Sequence, residues 1–559
     1  LGAPAWARAQ GADAGPGVLS GDHLDLTIGG RAVNITGRPR MATMVNGAMP
    51  APTLKVRQGD DLTIRVTNRL AEPTSIHWHG FRLPADMDGV PGLSFRGIMP
   101  GETFTYRFPA VQSGTYWYHS HSGMQEQTGL YGAVIMVPKD KEPYAYDRDY
   151  VVILSDWTDE DPMAVLSNLK QQGDYYNQHR PTLGDFLKDA REKGFKAARA
   201  EWSMWGKMRM SPADIMDVTG ATYTFLINGQ PPAANWTGLF HPGERVRLRF
   251  INSAAMSTFD VRIPGLPLTV VSADGADVEP VSIEEFRLGV AETLDVIVQP
   301  GDQAYAIFAQ AQDRSGYARA TLSPRPGLAA AVPPMDPRPR RTMTDMGMAM
   351  GGMDMSSMPG MDMSSMPGMD MGAAPAGPKA GVVVNADGVD PASLKGKPSV
   401  DNVAASTTNR LGEAGDGLDG NGRKVLVYTD LRALKPDPET RLPDRELEFH
   451  LTGNMERWVW GFDGKTFSQA PPIRIKLGER VRFTLINDTM MEHPIHLHGF
   501  IVSLENGQEG ALPLKHTINV KPAERMSFVY TADTPGRWAF HCHLMLHMDS
   551  GMFRTVVVA

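Results

Sequence analysis

Gly478-Glu479-Arg480-Val481-Arg482-Phe483-Thr484-Leu485-Ile486-Asn487 alternates charged and apolar side chains between a glycine and an asparagine. Such period-two alternation marks a strand with one buried face. An Asp463-Gly464 turn and prolines precede it, and the same arrangement occurs twice more. Asn46-Gly47 leads to Gly59-Asp60-Asp61-Leu62-Thr63-Ile64-Arg65-Val66-Thr67-Asn68. Asn228-Gly229 leads to Gly243-Glu244-Arg245-Val246-Arg247-Leu248-Arg249-Phe250-Ile251-Asn252. In every copy the glycine and the asparagine lie nine residues apart. Second halves match as well: Gly114-Thr115-Tyr116-Trp117-Tyr118 runs into His119, Gly536-Arg537-Trp538-Ala539-Phe540 into His541, and Gln303-Ala304-Tyr305-Ala306-Ile307 into Phe308. The triple recurrence predicts an all-β chain of three Greek-key β-sandwich domains with antiparallel strands, descended from a triplicated ancestor.

The predicted domains span 20–142, 143–328 and 423–559. Two segments depart from the repeat. A helical insertion is expected at about 159–212, centred on Asp185 to Glu201, and 329–422 reads as a Met-rich linker. Within that linker Met353-Asp354-Met355-Ser356-Ser357-Met358-Pro359-Gly360 repeats identically at 361–368, and a third start follows at Met369-Asp370-Met371. Residues 1–19 read as an export-signal remnant or disordered start, because Ala7-Arg8-Ala9 has the form of a cleavage site. A twin-arginine region upstream and a periplasmic location are the matching expectations.

With 559 residues, 42% hydrophobic and 21% charged, the composition is that of a soluble globular chain. A net charge of −8 supplies no basic field, which argues against nucleic acid as a partner. No apolar run reaches 18 residues, so no transmembrane helix is predicted. A monomer is expected.

Ten of the fifteen histidines, with the only cysteine, fall in four short clusters. These are His77-Trp78-His79, His119-Ser120-His121, His493-Pro494-Ile495-His496-Leu497-His498 and His541-Cys542-His543-Leu544-Met545-Leu546-His547, the last followed by Met552. Imidazole, thiolate and thioether together are the ligand set of copper. Nine residues beyond Asn68 and Asn487 stand His77 and His496, whereas Val261 stands nine beyond Asn252. The middle domain has therefore lost the ligands, and the outer two must hold metal between them.

On an extended strand, His541 and His543 point one way and Cys542 the other. Cys542 with His493, His547 and a weak axial Met552 makes a blue (type 1) copper site, whose methionine holds its potential below that of a site lacking an axial ligand. Eight imidazoles remain for three further coppers. His77 and His496, at equivalent repeat positions, share one (type 2). His79, His119 and His543 hold one member of a type 3 pair, and His121, His498 and His541 hold the other. Four coppers store four electrons, the number that reduces dioxygen to two waters.

These clusters resemble the signature of the multicopper oxidases, the family of laccases, cuprous oxidases and ferroxidases. The resemblance covers nearly the whole chain and implies three cupredoxin domains with the ligand roles above. Ser155-Asp156-Trp157-Thr158-Asp159-Glu160-Asp161-Pro162, Thr489-Met490-Met491-Glu492-His493 and the Met-Asp-Met-Ser repeat are similar to the copper-resistance protein A subgroup, exported bacterial oxidases. The resemblance implies a proton-supplying carboxylate at Asp88. Some relatives carry a second acid directly after the last blue-copper histidine; here that residue is Met548, and Asp549, which follows it, is the candidate to substitute as second proton donor, although alternation aims it the other way.

Thioether is soft and suits Cu(I). Met353, Met355, Met358, Met361, Met363, Met366, Met369 and Met371 are therefore candidates to gather cuprous ions. Asp488, Met490, Met491 and Glu492, beside His493, are candidates for a Cu(I) substrate site. The expected activity is oxidation of Cu(I), with phenols and aromatic amines as side substrates and O2 as acceptor. A laccase acting mainly on phenols, or a copper-sequestering protein, are the other readings. Trp202, Met204, Trp205, Met208 and Met210 read as core, Asp156 to Asp161 as a solvated turn, and His23, His179, His241, His450 and His516 as structural or surface residues.

Overall fold

The computed structural model describes residues 17–178, 181–208, 210–343, 345–347, 383–385 and 390–559. The methionines from 353 to 371 and His179 lie outside them. Six sheets form three sandwiches, each with a repeat strand inside one sheet and the ligand-position strand in the other. In the first, Asp61–Asn68 lies between His23–Asn34 and Thr103–Pro109, while His77–His79 edges the facing sheet beside Gly114–His119. In the third, Arg480–Asn487 lies inside one sheet, and His493–Leu497 lies inside the other between Gly536–Cys542 and Thr517–Val520.

The recurring residues have recurring jobs. Asn46, Asn228 and Asp463 adopt φ of 51°, 50° and 55°, and the glycines that follow adopt 75°, 73° and 72°. Two successive left-handed residues make the type I′ hairpin turn that Asn-Gly and Asp-Gly favour. The three corner asparagines are fully buried and bonded alike. Asn68 Nδ2 donates to the Glu72 and Ile98 carbonyls, Asn252 to Ser257 and Leu288, and Asn487 to Met491 and Val520. Each ties the chain leaving one sheet to a strand near the other, which fixes where the following ligand strand begins.

Antiparallel pairing holds only in part. His23–Asn34 runs parallel to Asp61–Asn68, Arg148–Trp157 to Val246–Asn252, and Arg445–Asn454 to Arg480–Asn487. Alternation reports which face is buried and is blind to strand direction; the chain crosses to the other sheet between these partners, and that crossover permits the parallel pair.

Between Arg148–Trp157 and Thr224–Ile227 the chain inserts helices α1 (Pro162–Gln171), α2 (Leu183–Lys193) and α3 (Phe195–Met208). The expected solvated turn before them is instead structural. Asp156 is buried and accepts from the Ala255 and Met256 N–H groups, Ser257 Oγ and Gln127 Nε2. Asp161 caps α1 through the Met163 N–H, ahead of a first-turn proline. Trp205 is core, with Met204 and Met210 packed against it. Trp202 donates to Asp189.

Both ends of the Met-rich stretch carry buried side chains. Arg341, Met343 and Met346 are buried before it, and Leu394, Val400, Leu411 and Leu418 after it. Ser406 N–H donates to the Gly347 carbonyl, so the two flanks meet.

Candidate metal centre

The strand Gly536–Cys542 pairs antiparallel with His493–Leu497, Ile495 opposite Cys542 and His496 opposite His541. Its pleat separates the side chains as alternation requires. Cys542 Sγ lies 3.5 Å from His493 Nδ1 and 3.9 Å from His547 Nδ1, and these two nitrogens are 3.3 Å apart. Met552 is fully buried beside them, its carbonyl accepting from the Cys542 N–H. On the other side His541 Nε2 is 2.9 Å from His498 Nε2, and its ring is 5.3 Å from that of His121. His543 groups with His79 and His119, His77 with His79 and His496, and His77 again with His121 and His498. The strand thus faces a Cys-His-His group and an eight-imidazole group in opposite directions.

The outer nitrogen of most rings is already committed, which leaves the inner one for metal. His77 Nδ1 donates to the Asp88 carbonyl (2.8 Å) and His498 Nδ1 to Asp88 Oδ2 (2.9 Å), so one residue holds two rings. His119 Nδ1 meets Glu126 Oε2 (2.6 Å), His541 Nδ1 the Cys542 carbonyl (2.9 Å) and His496 Nδ1 the His516 carbonyl (2.6 Å). His79 is turned over: its Nε2 meets Thr517 Oγ1 (3.0 Å) and His516 Nδ1 (3.2 Å).

What remains unpaired is diagnostic. Among the described residues, the Nε2 atoms of His77, His119, His121 and His496, Nδ1 of His79 and both nitrogens of His543 are buried without a hydrogen-bond partner. Orphaned buried polar atoms cost free energy and are rare. Burial also holds His79, His119, His121, His496, His498 and His543 well below the usual histidine pKa, and lowers His541 to about 4. Neutral imidazoles with free lone pairs converging on one space fit copper.

The Cys542 group is held from outside. His493 Nε2 pairs with Thr489 Oγ1 (2.7 Å) and His547 Nε2 donates to Asp217 Oδ2 (3.0 Å), while Trp460 stacks on His547 at 3.8 Å. Burial lifts the Asp217 carboxyl to about 7, opposed by the charge of Arg341. Beside His547 opens a small cleft walled by Met216, Asp217, Met256, Gln312, Met491 and Glu492.

Two of the sequence-predicted residues lie elsewhere. Asp488 turns away from the cleft, its Oδ2 2.7 Å from His450 Nδ1 and its Oδ1 accepting from the Ala404 N–H. Asp549 is exposed at the end of the short helix α4 (Met545–Asp549), 4.0 Å from Lys170. Beyond Met545 the period is helical, so strand alternation no longer says where it points. Met490 is fully buried, and Glu492 lines the cleft while paired with Arg287. His516, expected to be structural or surface, is buried against His79. Glu126, Asp217 and Thr489 were missed. Glu126, in the polar Gln125-Glu126-Gln127 run just after a ligand pair, carried the only sequence signal.

Multicopper oxidase family models match residues 27–141, 148–326 and 440–559. The chain is 54% identical to copper resistance protein A of Escherichia coli, over 97% of this chain and 93% of that protein. It is also 54% identical to the copper resistance protein A homolog of Pseudomonas syringae pv. tomato, over 99% and 95%. Among solved structures, the iron-import multicopper oxidase Fet3p superposes with a TM-score of 0.66 at 19% identity, covering 97% of this chain and 90% of that one. A multicopper oxidase of Pseudomonas thermotolerans does so at 0.60 and 20%, covering 97% and 100%. Both likenesses speak to fold. With three cupredoxin domains, these matches and four converging donor groups, the chain belongs to the multicopper oxidase family, whose members carry one type 1, one type 2 and two type 3 coppers.

Proposed function

We propose that the protein is a periplasmic cuprous oxidase of copper tolerance, taking electrons from Cu(I) beside His547 and passing them to dioxygen. The observation that carries this reading is the cleft: three thioethers, from Met216, Met256 and Met491, next to Asp217, whose carboxylate is bonded to a Cys542-group histidine. Thioether favours the cuprous ion, and an adjacent carboxylate favours the cupric product. The names of the copper resistance relatives accord with this.

In this reading His493, Cys542, His547 and Met552 hold the electron-accepting copper. His77 and His496 hold one of the other three, His79, His119 and His543 the next, and His121, His498 and His541 the last. Bound there, copper supplies one-electron uptake on the sulfur side and four-electron reduction of O2 on the imidazole side. The chain's own part is positional. Cys542, its peptide groups, His541 and His543 are the covalent connection between the two sides. Asp88 and Glu126 hold the rings of His77, His498 and His119, and Asp88 is the acid nearest two of them. Met353, Met355, Met358, Met361, Met363, Met366, Met369 and Met371 gather Cu(I) for the cleft.

Oxygen consumption by copper-loaded protein, driven by Cu(I) and then by a phenol, tests the reading. Faster turnover of Cu(I), lost in Met491→Leu with phenol turnover kept, is expected. A preference for phenol would make the protein a laccase, and copper binding without turnover a buffer. Deleting 348–382 should slow only turnover at low Cu(I); an unchanged rate there would remove the gathering role.

A further inference from the structure

A buried cation stands behind the wall of the cleft beside the Cys542 group. Arg341 lies on the flank that leads into the Met-rich stretch, its backbone N–H bonded to the Pro212 carbonyl. Its side chain is fully buried. Nε donates to Asp416 Oδ2 at 2.9 Å, Nη1 faces Met491 Sδ at 3.9 Å, and Nη2 has no hydrogen-bond partner among the described residues. Met491 is two residues from His493 and shares the cleft wall with Asp217, the partner of His547. The guanidinium therefore sits behind Met491 of the cleft wall, and its Nη2 edge has no anion among the described residues.

We propose that Arg341 is a positioning charge that raises the reduction potential of the copper site held by His493, Cys542, His547 and Met552. The inference rests on that ligand reading and goes beyond it. Reduction removes one unit of positive charge from the site, so a fixed cation nearby disfavours the oxidised state more than the reduced one. In a dry interior the effect is weakly screened by protein and hardly at all by salt. Asp416 offsets part of it through Nε, while the Nη2 edge faces no carboxylate partner among the described residues. Met552 as an axial ligand lowers the potential, and Arg341 works against it, which suits a site that must draw electrons from a metal ion.

The test is redox titration of the blue absorbance in copper-loaded parent, Arg341→Met and Asp416→Asn, with copper counted per chain. Arg341→Met should shift the equilibrium with a fixed mediator toward the oxidised form by on the order of tenfold, about 59 mV for one electron. Asp416→Asn, which strips the guanidinium of its carboxylate, should titrate above the parent. An Arg341→Met protein with its full copper and blue band that titrates with the parent overturns the proposal. Should that variant fail to fold, Asp416→Asn decides alone, and a potential at or below the parent's overturns it. A colourless copper-loaded parent would overturn the ligand reading itself, and this inference with it.

Discussion

Nine residues past its corner asparagine the first domain has His77, the third has His496 and the middle has Val261. Turn, corner and strand are the same in all three; what the strand presents differs. Around Val261, Asp260 pairs with Arg287 and Arg314, and Arg262 with Glu285 and Asp336. Around Val261 the middle domain pairs its charged side chains with one another, whereas among the described residues the outer two leave imidazole nitrogens without a partner. The fold therefore needs the asparagine and not the histidine. The middle domain nonetheless serves the site from outside: the chain between α3 and Thr224–Ile227 brings Asp217 to His547, and the turn after Asn252 brings Met256 to the cleft.

Substitutions on the two kinds of domain should separate metal from stability. Cys542→Ser carries the largest expected effect, loss of blue absorbance and of turnover to background with the fold intact by circular dichroism. A blue band surviving in that variant would break the assignment of sulfur to one side of the strand. Next comes Asp88→Ala, which frees two rings at once. Its expected cost is about 10–100-fold in copper affinity, read as copper per chain after dialysis against a chelator. Full retention would mean that Asp88 does not hold the rings.

The corner asparagines sharpen the comparison. Asn252→Ala and Asn487→Ala each strand two buried carbonyls and should each cost about 1–3 kcal/mol in urea unfolding of the copper-free protein. Only Asn487→Ala should also alter the blue band, because its loop leads to His493. Equal spectra in the two variants would show that the corner does not set the ligand strand.

The smallest effect concerns Asp214, near α3, whose carboxyl burial and neighbouring Asp217 raise to about 7. A pKa raised above the unfolded value contributes stability that is present below about pH 4 and lost as pH rises through about 7. The parent should therefore gain on Asp214→Asn as copper-free protein is taken from pH 8 to pH 4. A difference that stays flat in thermal melts across that range would refute the shift.

Much of this was written in local chemistry. Asn46-Gly47, Asn228-Gly229 and Asp463-Gly464 form the expected turns, because two successive left-handed residues favour those types. His541-Cys542-His543 divides its side chains as a pleat demands. Strand direction was not legible, since parallel and antiparallel partners share one period. Asp549 misled because α4 begins four residues before it, where the period changes.

The sequence alone determined which residue types could meet copper and, through strand geometry, that sulfur and nitrogen would face opposite ways. Those are properties of short stretches, set by covalent spacing and pleat. Only tertiary structure decided what surrounds the ligands. Asp217 reaches His547 across 330 residues of chain, and Arg341 reaches Met491 across 150. Neither meeting has a spacing to be read, because it depends on how three sandwiches and the flanks of a Met-rich stretch close on one another.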